Sequence, residues 1–485
     1  MNQSKAPIFE HVKRYVEKEP ARFHVPGHKG NEEIEPFHTL FQYDVTELSG
    51  FDDLHDPQGI IKEAHDLASL CFGSDETFFL VGGSTAGNLA SILSVCNPGD
   101  LVIVQRNVHK SIINALKLAQ AKAVFLEPNI DELTGLAYGV SPVAVRSALD
   151  QYFDAKAVIV TRPNYYGMAQ SIEEIAHIVH SYQLPLIVDE AHGAHFGFHS
   201  EVPTSALTAG ADIVVQSTHK MLTSLTMTGM LHIKGHRVNR GRIKERLNQI
   251  QSTSPSYILM ASIDIARRTL AMTGQAKIDR FIGHLHAFSS LLKKLPWFEL
   301  NGGSTSKRFS QDPFKLFLRD RTGTLNGFQL RDELGRQNCW AEMADPNYCL
   351  LAFSFATTEE DFKRLFLALK NISIEHRLKE KSCHDRVNKV SELPINAADT
   401  AVSAPVLFRS DMDETPTETI PLREAIGRRS AEMIIPYPPG IPIIYPGELI
   451  CKEMIEQITV WANSGARFQN RIASVREGIA VYVDE

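Results

Sequence analysis

No paired-cysteine spacing occurs in this 485-residue chain; Cys71, Cys96, Cys339, Cys349, Cys383 and Cys451 are scattered without a Cys-x-x-Cys. Neither a disulfide framework nor a zinc site is indicated, and a reducing cytoplasm is the simplest home for such a chain. Also missing is any apolar run near the roughly eighteen residues that span a bilayer. The first twenty residues are polar and mixed in charge, so membrane insertion and export are not expected. An excess of positive charge is absent too: 50 Lys+Arg against 57 Asp+Glu leave a formal charge of -7. That sign argues against a general nucleic-acid binder and suits a positively charged small molecule. There is no internal repeat and no low-complexity tract. The hydrophobic share of 43% and charged share of 22% are ordinary for a globular protein, and the length allows a large core in two or three domains.

What is present is an alternation. Between about Asp75 and Met230 short β-branched runs alternate with longer stretches of helical period. The pattern predicts strands over 77–81, 101–104, 123–126, 157–161, 186–189 and 212–216. Near-continuous apolar strands separated by helices predict an α/β fold with a mostly parallel sheet covered on both faces. Ligands of such sheets bind at the carboxyl ends of the strands. Residues 1–60, rich in His, Pro and Gly, read as an N-terminal arm that wraps over a neighbour. A large domain is expected over 61–299, a smaller α+β domain over 300–375, a polar linker over 376–404 and a C-terminal domain over 405–485. In that last part Pro436-Tyr-Pro-Pro-Gly-Ile-Pro-Ile-Ile-Tyr-Pro-Gly-Glu448 holds five prolines and two glycines, which preclude a helix and pin the backbone.

Two segments carry the chemistry. Leu184-Pro-Leu-Ile-Val-Asp-Glu-Ala-His-Gly193 and Ala211-Asp-Ile-Val-Val-Gln-Ser-Thr-His-Lys220 are apolar runs that each end in reactive side chains. Asp189 can face a pyridine nitrogen and Lys220 can hold an aldehyde, the pairing required by pyridoxal 5'-phosphate. Lys220 could be a surface lysine, but it precedes an uncharged run from Met221 to Gly229. Desolvation there would favour the neutral amine that forms a Schiff base. Asp189 could instead cap the next helix; against a ring nitrogen, its carboxylate would keep that nitrogen protonated and the ring an electron sink. Gly82-Gly-Ser-Thr-Ala-Gly-Asn88 offers Ser84, Thr85 and helix-opening amides to a phosphate, a weak motif by itself. Ser217 and His219 are further candidates for that phosphate. His109, after another strand, is placed to stack on a planar ring, or is an ordinary loop histidine. His192, His195 and His199 lie close together, yet Gly193 and Gly197 argue against a helix that would make them metal ligands, and no metal is expected.

With these residues in hand, the chain resembles the fold-type-I ornithine/lysine/arginine decarboxylases, in the shorter form found in Gram-positive bacteria. The resemblance rests on Phe23-His-Val-Pro-Gly-His28, Asp53-Leu-His-Asp-Pro57, Arg106-Asn-Val-His-Lys-Ser111, Asp189-Glu-Ala-His-Gly193, Ser217-Thr-His-Lys220, Pro436–Pro442 and Pro446-Gly-Glu448. It implies an aspartate-aminotransferase-like fold and decarboxylation of arginine, lysine or ornithine through a pyridoxal phosphate aldimine. By resemblance Lys220 carries the cofactor, Asp189 faces its nitrogen and His109 stacks on its ring. Ser84, Thr85, Ser217 and His219 surround the phosphate, with His219 also a proton donor. His192 lies beside the cofactor and the substrate's α-carboxylate, and Glu448 approaches the substrate's distal cation. The resemblance further implies a homodimer with its active site at the interface. Three features depart from the family. The motifs start too early for the receiver-like domain of the large members, so decamers are not expected; Arg162 and Asn164 stand where relatives more often show Asn and Thr; and Gly82-Gly83 precedes Ser84. An aminotransferase or α-oxoamine synthase could use the same Asp and Lys, and a degenerate member could serve only as a binding or regulatory subunit.

Overall fold

Apolar β-branched runs set the strands of the computed structural model, which describes all residues except 32, 302–307, 379–401, 409–414, 437–439, 470–476 and 484–485. All six predicted strands form within one residue of the expected ends: Glu76–Leu80, Leu101–Gln105, Lys122–Leu126, Val158–Thr161, Leu186–Asp189 and Ile213–Gln216. A further strand, Gly229–Ile233, is not among those expected from the sequence and begins where the uncharged run from Met221 to Gly229 ends. Every residue in it is buried. Most of the expected linker lies outside the described residues, as do Tyr437, Pro438 and Pro439 of the proline-rich segment.

The chain divides into two compact units, the first comprising residues 1–96, 156–162 and 172–277. Its strands run in the order Glu76–Leu80, Gly229–Ile233, Ile213–Gln216, Leu186–Asp189, Val158–Thr161. The last three pair in parallel, whereas Gly229–Ile233 runs antiparallel to both neighbours. The helix Gly83–Val95 starts just after the first strand. It can approach the sheet closely because Gly87 has no side chain: a Cβ there would meet Val215 Cγ1 at 2.7 Å. The arm is anchored electrostatically. Arg267, with no exposed side-chain surface, pairs with Asp264 at 2.6 Å and donates to the carbonyls of Gln3 and Lys5. Asp264 in turn accepts the amide of Ile8, in the helix Pro7–Val16. Asp52 accepts the amides of Gly59, Ile61 and Lys62 and so organises the start of the helix Ile60–Phe72.

The second unit comprises residues 97–155, 163–171 and 278–485. Leu101–Gln105 and Lys122–Leu126 pair in parallel, and Val406–Leu407 adds to the latter antiparallel. An antiparallel sheet follows, ordered Phe298–Leu300, Lys315–Asp320, Cys349–Ala352, Met343–Ala344. The helices Gly327–Arg336 and Glu359–Glu375 each open with a reciprocal capping box, Asn326 with Gln329 and Thr358 with Asp361, which satisfies otherwise orphaned amides. The C-terminal part has a core of its own, including Ile434, Ile444, Ile450, Ile458, Ile479 and Val481. Burying each such side chain stabilises by about 1.5–3 kcal/mol.

Candidate active site

In the first unit the sheet presents the expected side chains together. Asp189 ends its strand buried; Asn88 Nδ2 donates to its Oδ2 at 3.0 Å and the Ala191 amide to its Oδ1 at 3.1 Å. Burial raises the Asp189 carboxyl, opposed by the Lys220 charge and by these donors. Lys220 sits on the helical turn Thr218–Met221 that follows the adjacent strand, and its Nζ lies 3.2 Å from His192 Nε2. Either an ammonium donates to an unprotonated Nε2 or Nε2–H donates to a neutral amine. One proton can therefore move between them.

Ser217 and Ser84 meet hydroxyl to hydroxyl at 2.8 Å. Ser84 lies in the first turn of Gly83–Val95, whose N-cap Gly82 supplies no side-chain cap. Gly83 takes φ +70 and donates its amide to Met227 O at 2.7 Å. Thr85, in the same first turn, is exposed. His219 Nδ1 donates to the carbonyl of Thr228 at 2.7 Å, so its Nε2 can donate only when the ring is charged. His192 and His195 lie on turns, as Gly193 suggests. Among the described residues no group of three or more His, Cys, Asp or Glu is arranged to hold a metal ion.

Behind Asp189 lies a network that sequence reasoning did not foresee. Glu190, with no exposed surface, accepts from Arg162 Nη1 at 3.0 Å, Gln216 Nε2 at 2.8 Å and the Ala206 amide at 2.8 Å. Burial pushes its carboxyl up to about 7, against the pull of Arg162. Arg162 also donates to Thr204 O at 2.7 Å and lies over the Phe196 ring. The unusual residue at 162 is thus committed to an internal ion pair. Asn164, in the second unit, closes a local turn through Met168 N and donates to Ala137 O.

His109 and Glu448 belong to the second unit. His109 caps the helix Lys110–Ala119, its Nδ1 accepting the Ser111 amide at 3.2 Å. This fixes the ring and, when it is neutral, puts its proton on Nε2. Both carboxylate oxygens of Glu448 are engaged by Arg106: Nη1 stands 3.0 Å from Oε1, and Nη2 donates to Oε2 at 3.1 Å. Arg106 and Asn88 were both inside motifs read from the sequence, but neither was assigned a partner, since each partner is over one hundred positions away or on another strand.

The profile of the Orn/Lys/Arg decarboxylase major domain matches residues 6–361, and that of the C-terminal domain of the same family matches 393–471. The chain belongs to the ornithine/lysine/arginine decarboxylase family. Uncharacterized protein YaaO of Bacillus subtilis (strain 168) is 38% identical to it over 486 residues, 99% of each chain. An arginine decarboxylase of Bacillus anthracis is 36% identical over 471 residues, 94% of this chain and 93% of the relative. The lysine decarboxylase LdcF of Francisella novicida superposes with a TM-score of 0.81 over 98% of this chain and 81% of its own, at 22% identity. That likeness shows the fold, the aminotransferase-like fold type I. The decarboxylase acts on a basic amino acid and uses pyridoxal phosphate. Its first unit fits that cofactor: a buried carboxylate held by two donors suits a ring N–H, and two hydroxyls beside an uncapped helix start suit a phosphate. Gly229 lets the backbones of Gln216 and Ser84 approach closely here, since a Cβ there would lie 2.7 Å from Gln216 O and 3.3 Å from the Ser84 amide. No helix among the described residues is long and apolar enough to cross a membrane.

Proposed function

We propose that the decarboxylase acts on arginine, releasing carbon dioxide and agmatine and so feeding polyamine synthesis, as a cytoplasmic homodimer with its active site at the interface. The observation that carries the substrate assignment is the 36% identity, over nearly the full length of both chains, to an arginine decarboxylase. The five described cysteines are all free thiols, in keeping with a reducing compartment.

When bound, pyridoxal phosphate supplies a protonated ring that accepts the electron pair left at Cα as carbon dioxide departs. Lys220 would hold it by the amine, and Asp189, kept in place by Asn88 and the Ala191 amide, would keep its ring nitrogen protonated. Ser84, Thr85, Ser217 and a charged His219 would hold the phosphate. His109, its ring fixed by Ser111, would stack on the ring. His192 exchanges a proton with Lys220 Nζ across their 3.2 Å contact, and Lys220 or His219 would return a proton to Cα.

The test offers arginine, lysine and ornithine to the purified protein and measures carbon dioxide and product amine, with and without a keto acid. Arginine is expected to give the highest kcat/KM, with no keto-acid dependence. Lys220→Ala is expected to lose turnover by about 10³-fold or more together with the visible Schiff-base absorbance. Preference for lysine or ornithine would overturn the substrate assignment. Keto-acid dependence would indicate an aminotransferase, and cofactor binding without turnover of any basic amino acid would leave a non-catalytic family member.

A further inference from the structure

We propose that Arg106 and Glu448 are positioning residues, with which the C-terminal segment clamps the turn carrying His109, and that Glu448 acts through Arg106 instead of meeting the substrate. The inference rests on the reading of His109 as the ring-stacking residue. The turn in question runs from Gln105, the last residue of its strand, to Lys110, the first of its helix. The C-terminal segment holds it at both ends. At the strand end, Arg106 Nη2 donates to Ile443 O at 2.8 Å, and its guanidinium takes both oxygens of Glu448. The Tyr445 hydroxyl donates to the Arg106 carbonyl, while its ring lies 4.9 Å beneath the Arg106 guanidinium and stacks on Phe125. At the helix end, the Lys110 amide donates to Gly440 O at 3.4 Å and its Nζ to Gln469 Oε1 at 2.8 Å. His109 lies between these two sets of contacts.

The state of Glu448 argues the same way. Its Oε2 also accepts the Tyr445 amide at 3.0 Å, so the carboxylate closes its own turn as well as pairing with Arg106. Arg106 further stands 3.3 Å from Glu127. The side chains of Arg106 and Glu448 are 12% and 14% exposed. A carboxylate already paired with a guanidinium that comes within 3.1 Å of both its oxygens has little attraction left for a second cation, and withdrawing it would strand a largely buried Arg106. Burial raises the Glu448 carboxyl, with Arg106 and the Tyr445 amide opposing. This fits a group held by its partners and not by water.

The experiment compares the full-length wild type with Glu448→Gln, Arg106→Met and the double variant. Cofactor affinity is read by titrating each apoprotein with pyridoxal 5'-phosphate in the visible band, and ring orientation by circular dichroism of that band. KM and kcat are measured for arginine, lysine and ornithine. Each single variant is expected to weaken cofactor affinity about tenfold and reduce the dichroism, the double variant to be no worse than the poorer single one, and KM to change less than about threefold. Should either variant fail to fold, Tyr445→Phe, which removes only the hydroxyl on Arg106 O, is expected to show the same trend at about threefold. Unchanged cofactor affinity, with KM for the basic amino acids raised about tenfold by Glu448→Gln, would overturn the clamp and make Glu448 a substrate contact. Unchanged affinity and unchanged KM would overturn both roles. A wild type that takes up no cofactor would instead overturn the proposed function, a separate failure.

Discussion

At the residue scale, position 162 has the clearest measurable consequence. Arg162 and Glu190 are 4% and 0% exposed in their side chains, and removing one member of such a pair leaves an uncompensated buried charge, at about 3–5 kcal/mol. Arg162→Met is therefore expected to be destabilised by that order, measured by denaturant unfolding at pH 8. The folded-state value for Glu190, about 7, lies above its ordinary 4.5. Its contribution to stability is therefore full below pH 4.5 and falls as pH rises through about 7. Without Arg162 the ionised form loses its main partner, so the deficit should be larger at pH 8 than at pH 5.5. An equal deficit at the two values would mean that Arg162 acts by packing on Phe196 alone. In the sequence, Arg162 reads only as a departure from the family; its partner one strand away shows a structural reason for an arginine there.

At the element scale, the helix Gly83–Val95 brings Ser84 to Ser217 and Asn88 to Asp189 only because it lies close on the sheet. Gly87 is the point of approach, where a Cβ would come within 2.7 Å of Val215 and 2.8 Å of Leu80. Gly87→Ala is expected to cost about 1–3 kcal/mol by overpacking, seen as a lower denaturation midpoint with an unchanged slope. Cofactor affinity should fall in the same variant, since the helix that carries Ser84 and Asn88 must move outward. A variant as stable as wild type would show that the helix has room to shift. The strand Gly229–Ile233 belongs to this scale as well. It is paired antiparallel with both flanking strands and buried throughout, so its place in the sheet is set by its neighbours on either side.

At the scale of the whole molecule, four buried groups pull the response to acid in opposite directions. His65 and His232 are lowered by burial to about 4 and about 3. His65 Nε2 accepts the Phe79 amide; His232 Nδ1 takes the Thr77 hydroxyl while Nε2 donates to Gln216. Both are neutral when folded, so below pH 6.5 the unfolded chain binds protons that the folded one refuses, a loss of about 1.4 kcal/mol per pH unit for each. Glu190, at about 7, and Asp264, raised by burial to about 6 against the pull of Arg267, act in the opposite sense. Between about pH 4.5 and 6 the four contributions cancel. His232→Gln removes one of the two losses, so its stability relative to wild type should rise as pH falls from 6.5 to 4.5. A difference that stays constant with pH would show that His232 titrates normally.

The sequence by itself determined six strands of the sheet to within one residue, though not Gly229–Ile233, together with the two turns bearing Asp189 and Lys220, and through them the cofactor. These follow from short near-continuous apolar runs and from side chains at the ends of those runs, information carried within ten or so neighbouring positions. Only the tertiary structure shows which partners the remaining charged groups have. Glu448 has an arginine 342 positions away for a partner, Asp189 an asparagine 101 away, and Glu190 an arginine 28 away. A carboxylate reads alike in the sequence whether it awaits a substrate's cation or already holds one of the chain's own. The difference is set by which strands and segments become neighbours, and long-range pairing leaves no local pattern to read.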